Sequence, residues 1–159
     1  MKYHIIATGK IKEAYLTAGI QEFLKRLRPY GQVELTVLPE EKMPDHPSPA
    51  QKEQVLEKEG EKMLSHVHPG SHLFVLDVAG ELISSEELSQ RFSDLALYGT
   101  SELTFIIGGP FGLSESLRRR ADERISFGRI TLTHQMIRLI LVEQIYRAIK
   151  IARHEPYHL

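Results

Sequence analysis

Apolar residues gather in short runs, separated by longer stretches in which they recur every three or four positions. Lys2–Thr8, His72–Val78 and Leu103–Ile107 are such runs, too short for helices and so predicted as buried strands. Val33–Leu38 alternates apolar and polar residues, the period of a strand, and Arg124–Phe127 reads as a shorter one. Lys12–Arg28 sets Tyr15, Ile20, Phe23, Leu24 and Leu27 near helical spacing and stops before Pro29. Ser48-Pro49-Ala50-Gln51 opens a helix to about His66, with a Ser–Gln capping box and Pro in the first turn. Ser84–Glu87 is a second capping box, for a helix to about Tyr98. Ser114–Ala121 is predicted as a short helix. Thr133 is expected to cap a long one over about His134–Arg153, and HEPYHL follows as a tail.

Strands alternating with helices predict an α/β fold, a mostly parallel sheet flanked by helices. In such sheets ligands bind beyond the carboxyl ends of the strands. Two strand ends carry suggestive turns, Leu76-Asp77-Val78-Ala79-Gly80 and Ile107-Gly108-Gly109-Pro110.

The last helix stands apart. Of the 19 residues from His134 to Ala152, 12 are apolar, and Glu143, Arg147, Lys150 and His154 form one thin polar stripe. Glu143 and Arg147 are an (i, i+4) pair. Such a helix is buried nearly all round. That predicts a homodimer interface, a helix threaded through the core, or both, against the plainer reading of an ordinary central helix.

The length of 159 residues suits one domain over residues 1–159. With no cysteine, disulfides, thiolate nucleophiles and Cys-based zinc sites are excluded, and a reducing, cytoplasmic setting is expected. The apolar runs are too short for a signal peptide or a membrane span. No HExxH or similar frame is present, and His66 and His68 read as surface residues at a helix end, so no metal is expected. Charge is uneven. Residues 1–117 carry 11 basic and 17 acidic side chains, whereas residues 118–159 carry 9 and 4, eight of the nine being arginine. This hints at an anionic partner as much as at surface ion pairs.

The Gly108–Gly112 turn lacks the lysine of a phosphate loop and the GxGxxG spacing of a dinucleotide turn, and Pro110 removes an amide donor. It suits the close approach of a flat, uncharged ring such as adenine, or simply a tight turn that needs glycine. His134 and Arg138 lie four apart and share a helix face. The helix N-terminus favours neutral imidazole at His134, able to act as base or donor, although helix-end hydrogen bonding explains a lone His equally well.

Together, GGPFGL after a strand, Ser126–Thr131, the run HQMIRLILVEQIYRAIKI and the terminal YH resemble a bacterial family. Its members methylate N3 of a pseudouridine in large-subunit rRNA and belong to the SPOUT class. The resemblance spans essentially the whole chain, from ATGKIKEAYL and LRPYG through KEGEKML to the tail. It implies a SPOUT-type α/β domain with a C-terminal trefoil knot over about residues 103–153 and a tail over 154–159. It further implies a homodimer, S-adenosylmethionine as cofactor and rRNA of the assembled ribosome or large subunit as partner. The cofactor residues it implies are Leu76, Gly108, Phe127, Gly128, Arg129, Ile130, Thr131 and Leu132. The family loop often reads Ser-Phe-Ser or Ser-Leu-Ser where this chain has Ser126-Phe127-Gly128.

For the chemistry, Arg138 is expected to stabilise charge on the base carbonyls or grip phosphate. His158 or His134 would handle the N3 proton, and Tyr157 would stack on or orient the base. The competing expectations are a non-catalytic S-adenosylmethionine-binding or adenosine-binding dimer on the ribosome, and a methyltransferase for another RNA.

Overall fold

A computed structural model describes residues 1–159. Five strands form one sheet: β1 (Lys2–Thr8), β2 (Gln32–Leu38), β3 (His72–Leu82), β4 (Glu102–Ile107) and β5 (Glu123–Ser126). Their order is β2-β1-β4-β3-β5 and every pairing is parallel. All carboxyl ends therefore lie along one edge, and the loops leaving them form a single rim.

The apolar strands bury both faces. Tyr3, Ile5 and Ala7 of β1 point to one side with Leu103, Phe105 and Ile107 of β4, while Ile6 and Ile106 point to the other. Three helices supply the larger core on the first face: α1 (Ala14–Leu27), α3 (Ser85–Leu97) and α5 (Met136–Ala152). Two cover the second: α2 (Pro49–Ser65) through Met63 and α4 (Glu115–Arg120) through Leu117. Both predicted capping boxes form, at Ser48–Gln51 and Ser84–Glu87.

Two boundaries differ from expectation for local reasons. β3 continues past Val78 to Leu82, because its pairing with β5 shifts register between Leu76 and Glu81 and then resumes. α5 begins at Met136, with Gln135 rather than Thr133 at the cap. Gln135 makes no side-chain cap bond, and Thr133 still caps the turn that leads into α5, its hydroxyl accepting from Met136 N at 3.1 Å and its carbonyl from Ile137 N at 3.1 Å. The remaining elements match to within one or two residues. Along α5 no residue from Met136 to Ile151 is exposed, as its pattern predicts. No helix is long and apolar enough to cross a membrane.

Candidate functional site

The rim is built around the turn after β4. Gly109 and Gly112 bridge each other, with Gly112 N donating to Gly109 O at 3.2 Å, and Gly112 takes φ +101°. A Cβ on Gly108 would stand 2.8 Å from the Gly112 carbonyl oxygen and 2.8 Å from Leu113 Cδ2. Gly108 is thus required by the turn folding back on itself. Gly109 rests on Thr8 and Glu59, whose oxygens a Cβ there would meet at 2.9 and 3.1 Å. Glu59 is buried, which pushes its carboxyl above the ordinary value, while backbone amides of Gly109 and Glu41 oppose the shift. The Thr8 hydroxyl has no partner. Neither Thr8 nor Glu59 was marked by a motif, since each sits in an ordinary strand or helix pattern.

The irregular stretch of β3 forms the next part of the rim. Asp77 is buried and accepts from Ala79 N at 3.0 Å, from Arg118 Nε at 3.3 Å and from an Arg124 guanidinium nitrogen at 3.3 Å. Arg129, from the loop after β5, donates to the carbonyls of Val78 and Gly80, the latter at 3.1 Å. This ties the loop across the end of β3, where half-buried Leu76 lies. Ser126 Oγ donates to Gly128 O at 2.8 Å and accepts from Gly128 N at 3.2 Å, while Gly128 takes φ +140°. An L side chain rarely adopts that φ, so glycine at 128 is a backbone requirement here. Phe127 packs against the main core, whereas Ile130 is 81% exposed. The amides and carbonyls of Arg129, Ile130, Thr131 and Leu132 have no hydrogen bond within the chain, leaving a run of free polar backbone.

His134 and Arg138 share a face, as their spacing predicts, but both point inward. Arg138 is 2% exposed and donates to the carbonyl of Thr8. Burial lowers its affinity for a proton, and Glu40 partly restores it. His134 Nε2 is buried without a hydrogen bond, 3.5 Å from Glu40 Oε1.

The tail is docked rather than frayed. Glu155 receives hydrogen bonds from Lys150 at 2.6 Å, Arg153 at 2.6 Å and Tyr30 at 2.8 Å. The chain then turns back along α5. Tyr157 OH donates to Glu143 Oε1 at 3.0 Å, and its ring meets Tyr146 edge-on at 4.8 Å. Burial and the Glu143 carboxylate raise the Tyr157 phenol above its usual value. Arg147 donates to His158 Nδ1 at 3.1 Å, and His158 Nε2 donates to Glu86 at 2.7 Å. These two bonds specify the neutral tautomer with its proton on Nε2. Glu86 lies in the first turn of α3, which leaves the carboxyl edge of β3, so the tail returns His158 towards the rim. Within one chain, then, Tyr157 and His158 form one group with Glu143 and Arg147, and His134 and Arg138 form another.

The comparisons with known proteins bear on this rim. The family described as "Predicted SPOUT methyltransferase" matches residues 1–158. The chain belongs to the SPOUT methyltransferase family. It is 52% identical over 158 residues to the ribosomal RNA large subunit methyltransferase H of Carboxydothermus hydrogenoformans, covering 99% of each protein. The proteins of that name from Halothermothrix orenii and Listeria monocytogenes are 52% and 49% identical, again over 99% of each chain.

SPOUT methyltransferases in general use S-adenosylmethionine, and the rim fits its adenosine part. An adenine edge offers one donor and adjacent acceptors, which free amides and carbonyls at residues 129–132 can pair. The half-buried Leu76 and the exposed Ile130 and Leu132 provide apolar surface for a flat ring.

Proposed function

We propose that this chain methylates N3 of a pseudouridine in large-subunit rRNA, on the assembled ribosome or subunit. Similarity along 99% of the chain to proteins named ribosomal RNA large subunit methyltransferase H carries this reading. The rim and the docked tail are consistent with it.

Leu76, Gly108 and Phe127–Leu132 hold S-adenosylmethionine in this reading, which supplies an electrophilic methyl on a sulfonium. The protein must place N3 in line with that methyl and remove the N3 proton. Tyr157 orients the base through its ring, and His158, neutral in the resting tautomer, takes the proton at Nδ1 once Arg147 turns away. Arg147 then faces the base carbonyl on which negative charge develops. Glu143 holds Arg147 and Tyr157 in place, its Oε1 accepting from Arg147 Nε at 3.0 Å. Arg138 acts as a positioning residue that fixes the carboxyl end of β1 beneath the Gly109 turn. His134 is set beside Glu40 at the start of α5, where it supports the cofactor loop.

The homodimer and the knot over about residues 103–153 belong to this proposal. A second copy would bring a tail and a cofactor loop from different chains together. The experiment is methyl transfer from labelled S-adenosylmethionine to large subunits or ribosomes lacking the modification, with the product nucleoside identified by mass spectrometry. Label on N3 of one pseudouridine supports the reading. Label on another base assigns a different RNA target, and cofactor binding without transfer assigns a non-catalytic binder.

A further inference from the structure

The amino edge of the sheet, opposite the rim, holds polar groups that methyl transfer does not use. His4 sits on β1 four residues before Thr8, or about 13 Å along the strand at about 3.3 Å per residue. It is 1% exposed. Its Nε2 shares a 2.8 Å hydrogen bond with Thr36 Oγ1 and stands 3.8 Å from Glu34 Oε1. Its Nδ1 has no hydrogen-bond partner. Buried imidazole nitrogens in this condition are rare because the lost hydration is not replaced.

His68, expected with His66 to be a surface residue at a helix end, is half-exposed and also stacks on His4, with ring centroids 5.1 Å apart. A nitrogen of each imidazole and a carboxylate oxygen of Glu34 lie within 4.8 Å of one another. Glu102 stands behind them, 2.8 Å from His68 Nδ1 and 3.9 Å from His4 Nδ1. Lys2 is the resident cation, 2.9 Å from Glu34 and 3.9 Å from Glu102. Two carboxylates thus face one ammonium, leaving a net negative charge when the imidazoles are neutral.

We propose that His4, Glu34 and His68 bind a divalent transition-metal ion of the Zn²⁺ class. Two imidazoles and one carboxylate form the donor set of open, four-coordinate sites, with water in the remaining position. The nitrogens select against Mg²⁺ and Ca²⁺, which take oxygen ligands. His4 Nε2 is the nitrogen that faces Glu34 and so the one that binds, the Thr36 hydroxyl turning away from it. The imidazole proton then sits on Nδ1, on the side of Glu102 at 3.9 Å, and Glu102 orients His68 from behind through Nδ1. Metal–ligand bonds of about 2.0–2.2 Å draw the three groups closer than they stand. His68, 44% exposed, has room to make that movement, and Lys2 has a flexible stem on which to withdraw. The site lies on β1, β2 and the loop after α2, away from the cofactor loops, and so does not depend on the proposed methylation.

The test uses the full chain, stripped of metal with chelator and titrated with Co²⁺. The expected result is one Co²⁺ per chain, the visible absorption of a low-symmetry four- or five-coordinate site, displacement by Zn²⁺ and a raised melting temperature. His68→Ala and Glu34→Gln, both at accessible side chains, are each expected to weaken binding at least about tenfold and remove the absorption band. Circular dichroism of both variants checks that they fold, and transfer activity should persist in them. Failure of the wild type to bind Co²⁺ or Zn²⁺ overturns the proposal. So does binding that neither substitution weakens, which places the ion on other histidines.

Discussion

Tyr157 and Glu143, fourteen residues apart, meet through a 3.0 Å hydrogen bond that folds the end of the chain back along its last helix. The Arg147 guanidinium lies 4.7 Å from the Tyr157 ring centroid and is bound to the same carboxylate. Tyr157→Phe keeps the ring and loses this bond to a charged acceptor, worth about 1.5 kcal/mol or more. It is expected to lower the single-turnover methyl transfer rate by about tenfold. Tyr157→Ala should lower it further, with S-adenosylmethionine affinity in calorimetry changed little. A full rate for both variants would remove the tail from the site.

Gly108→Ala sets a methyl against backbone, since the Gly112 carbonyl would lie 2.8 Å away. The turn must open, at a cost of about 1–3 kcal/mol as for other overpacked sites. Cofactor affinity and melting temperature should both fall. Gly112→Ala meets no atom but forces φ +101° on an L residue, and should cost about 1–2 kcal/mol. Paired melting curves with and without S-adenosylmethionine measure both effects.

The tail's anchor titrates. Hydrogen bonds from Lys150, Arg153 and Tyr30 hold the Glu155 carboxyl down at about 2, against 4.5 for the free group. A depressed carboxylate contributes its full stabilisation above its unfolded value and loses it as pH falls through the folded one. Docking of the tail should therefore be intact at pH 7 and should loosen between about pH 4.5 and 2. Tyr157 ring resonances in NMR report it, and Glu155→Gln should show a looser tail already at pH 7.

Glu59 behaves in the opposite sense. Burial raises its carboxyl, so the folded chain binds that proton more tightly than the unfolded chain does. Stability is then lost as pH rises through and above 4.5. Glu59→Gln removes the buried charge and should melt at the same or a higher temperature at pH 7, with the difference vanishing under acid. Denaturation curves at several pH values decide it.

Arg138→Ala removes the donor to the Thr8 carbonyl inside the core. An orphaned buried carbonyl costs about 1–3 kcal/mol, and the lost packing adds to that. Weaker cofactor binding is expected alongside lower stability, because Thr8 lies under Gly109. A variant that keeps stability and cofactor affinity but loses transfer would instead place Arg138 on the substrate.

Much of this fold was legible because the local signals agree. Ser48 and Ser84 announce helices that their capping boxes then form, and the apolar runs become the inner strands. For Gly108 and the 127–132 loop the family resemblance supplies an expectation of cofactor binding, and the structure adds the backbone reasons for glycine at 108 and 128. The rest depended on distances between segments. Nothing in HVHPGSH says that His68 reaches His4, because α1, β2 and α2 lie between them along the chain. The Glu143–Arg147 pair reads as a surface ion pair until the tail is seen to cover it. Arg138 is expected from the sequence to stabilise charge on the base carbonyls or grip phosphate, and its burial follows only from how α5 enters the core.

That burial of α5 bears on how the chain is made. Six of the eighteen residues of the larger core, Leu141, Val142, Ile145, Tyr146, Ala148 and Ile149, come from the last helix. They pack on α1 and α3, whose residues are synthesised far earlier. A nascent chain at the exit tunnel has β1–β5 in hand but one face of its sheet unsealed, so its contacts of greatest sequence separation form last. Closure of the larger core therefore waits for α5 to be available, whatever the order in which the five strands pair.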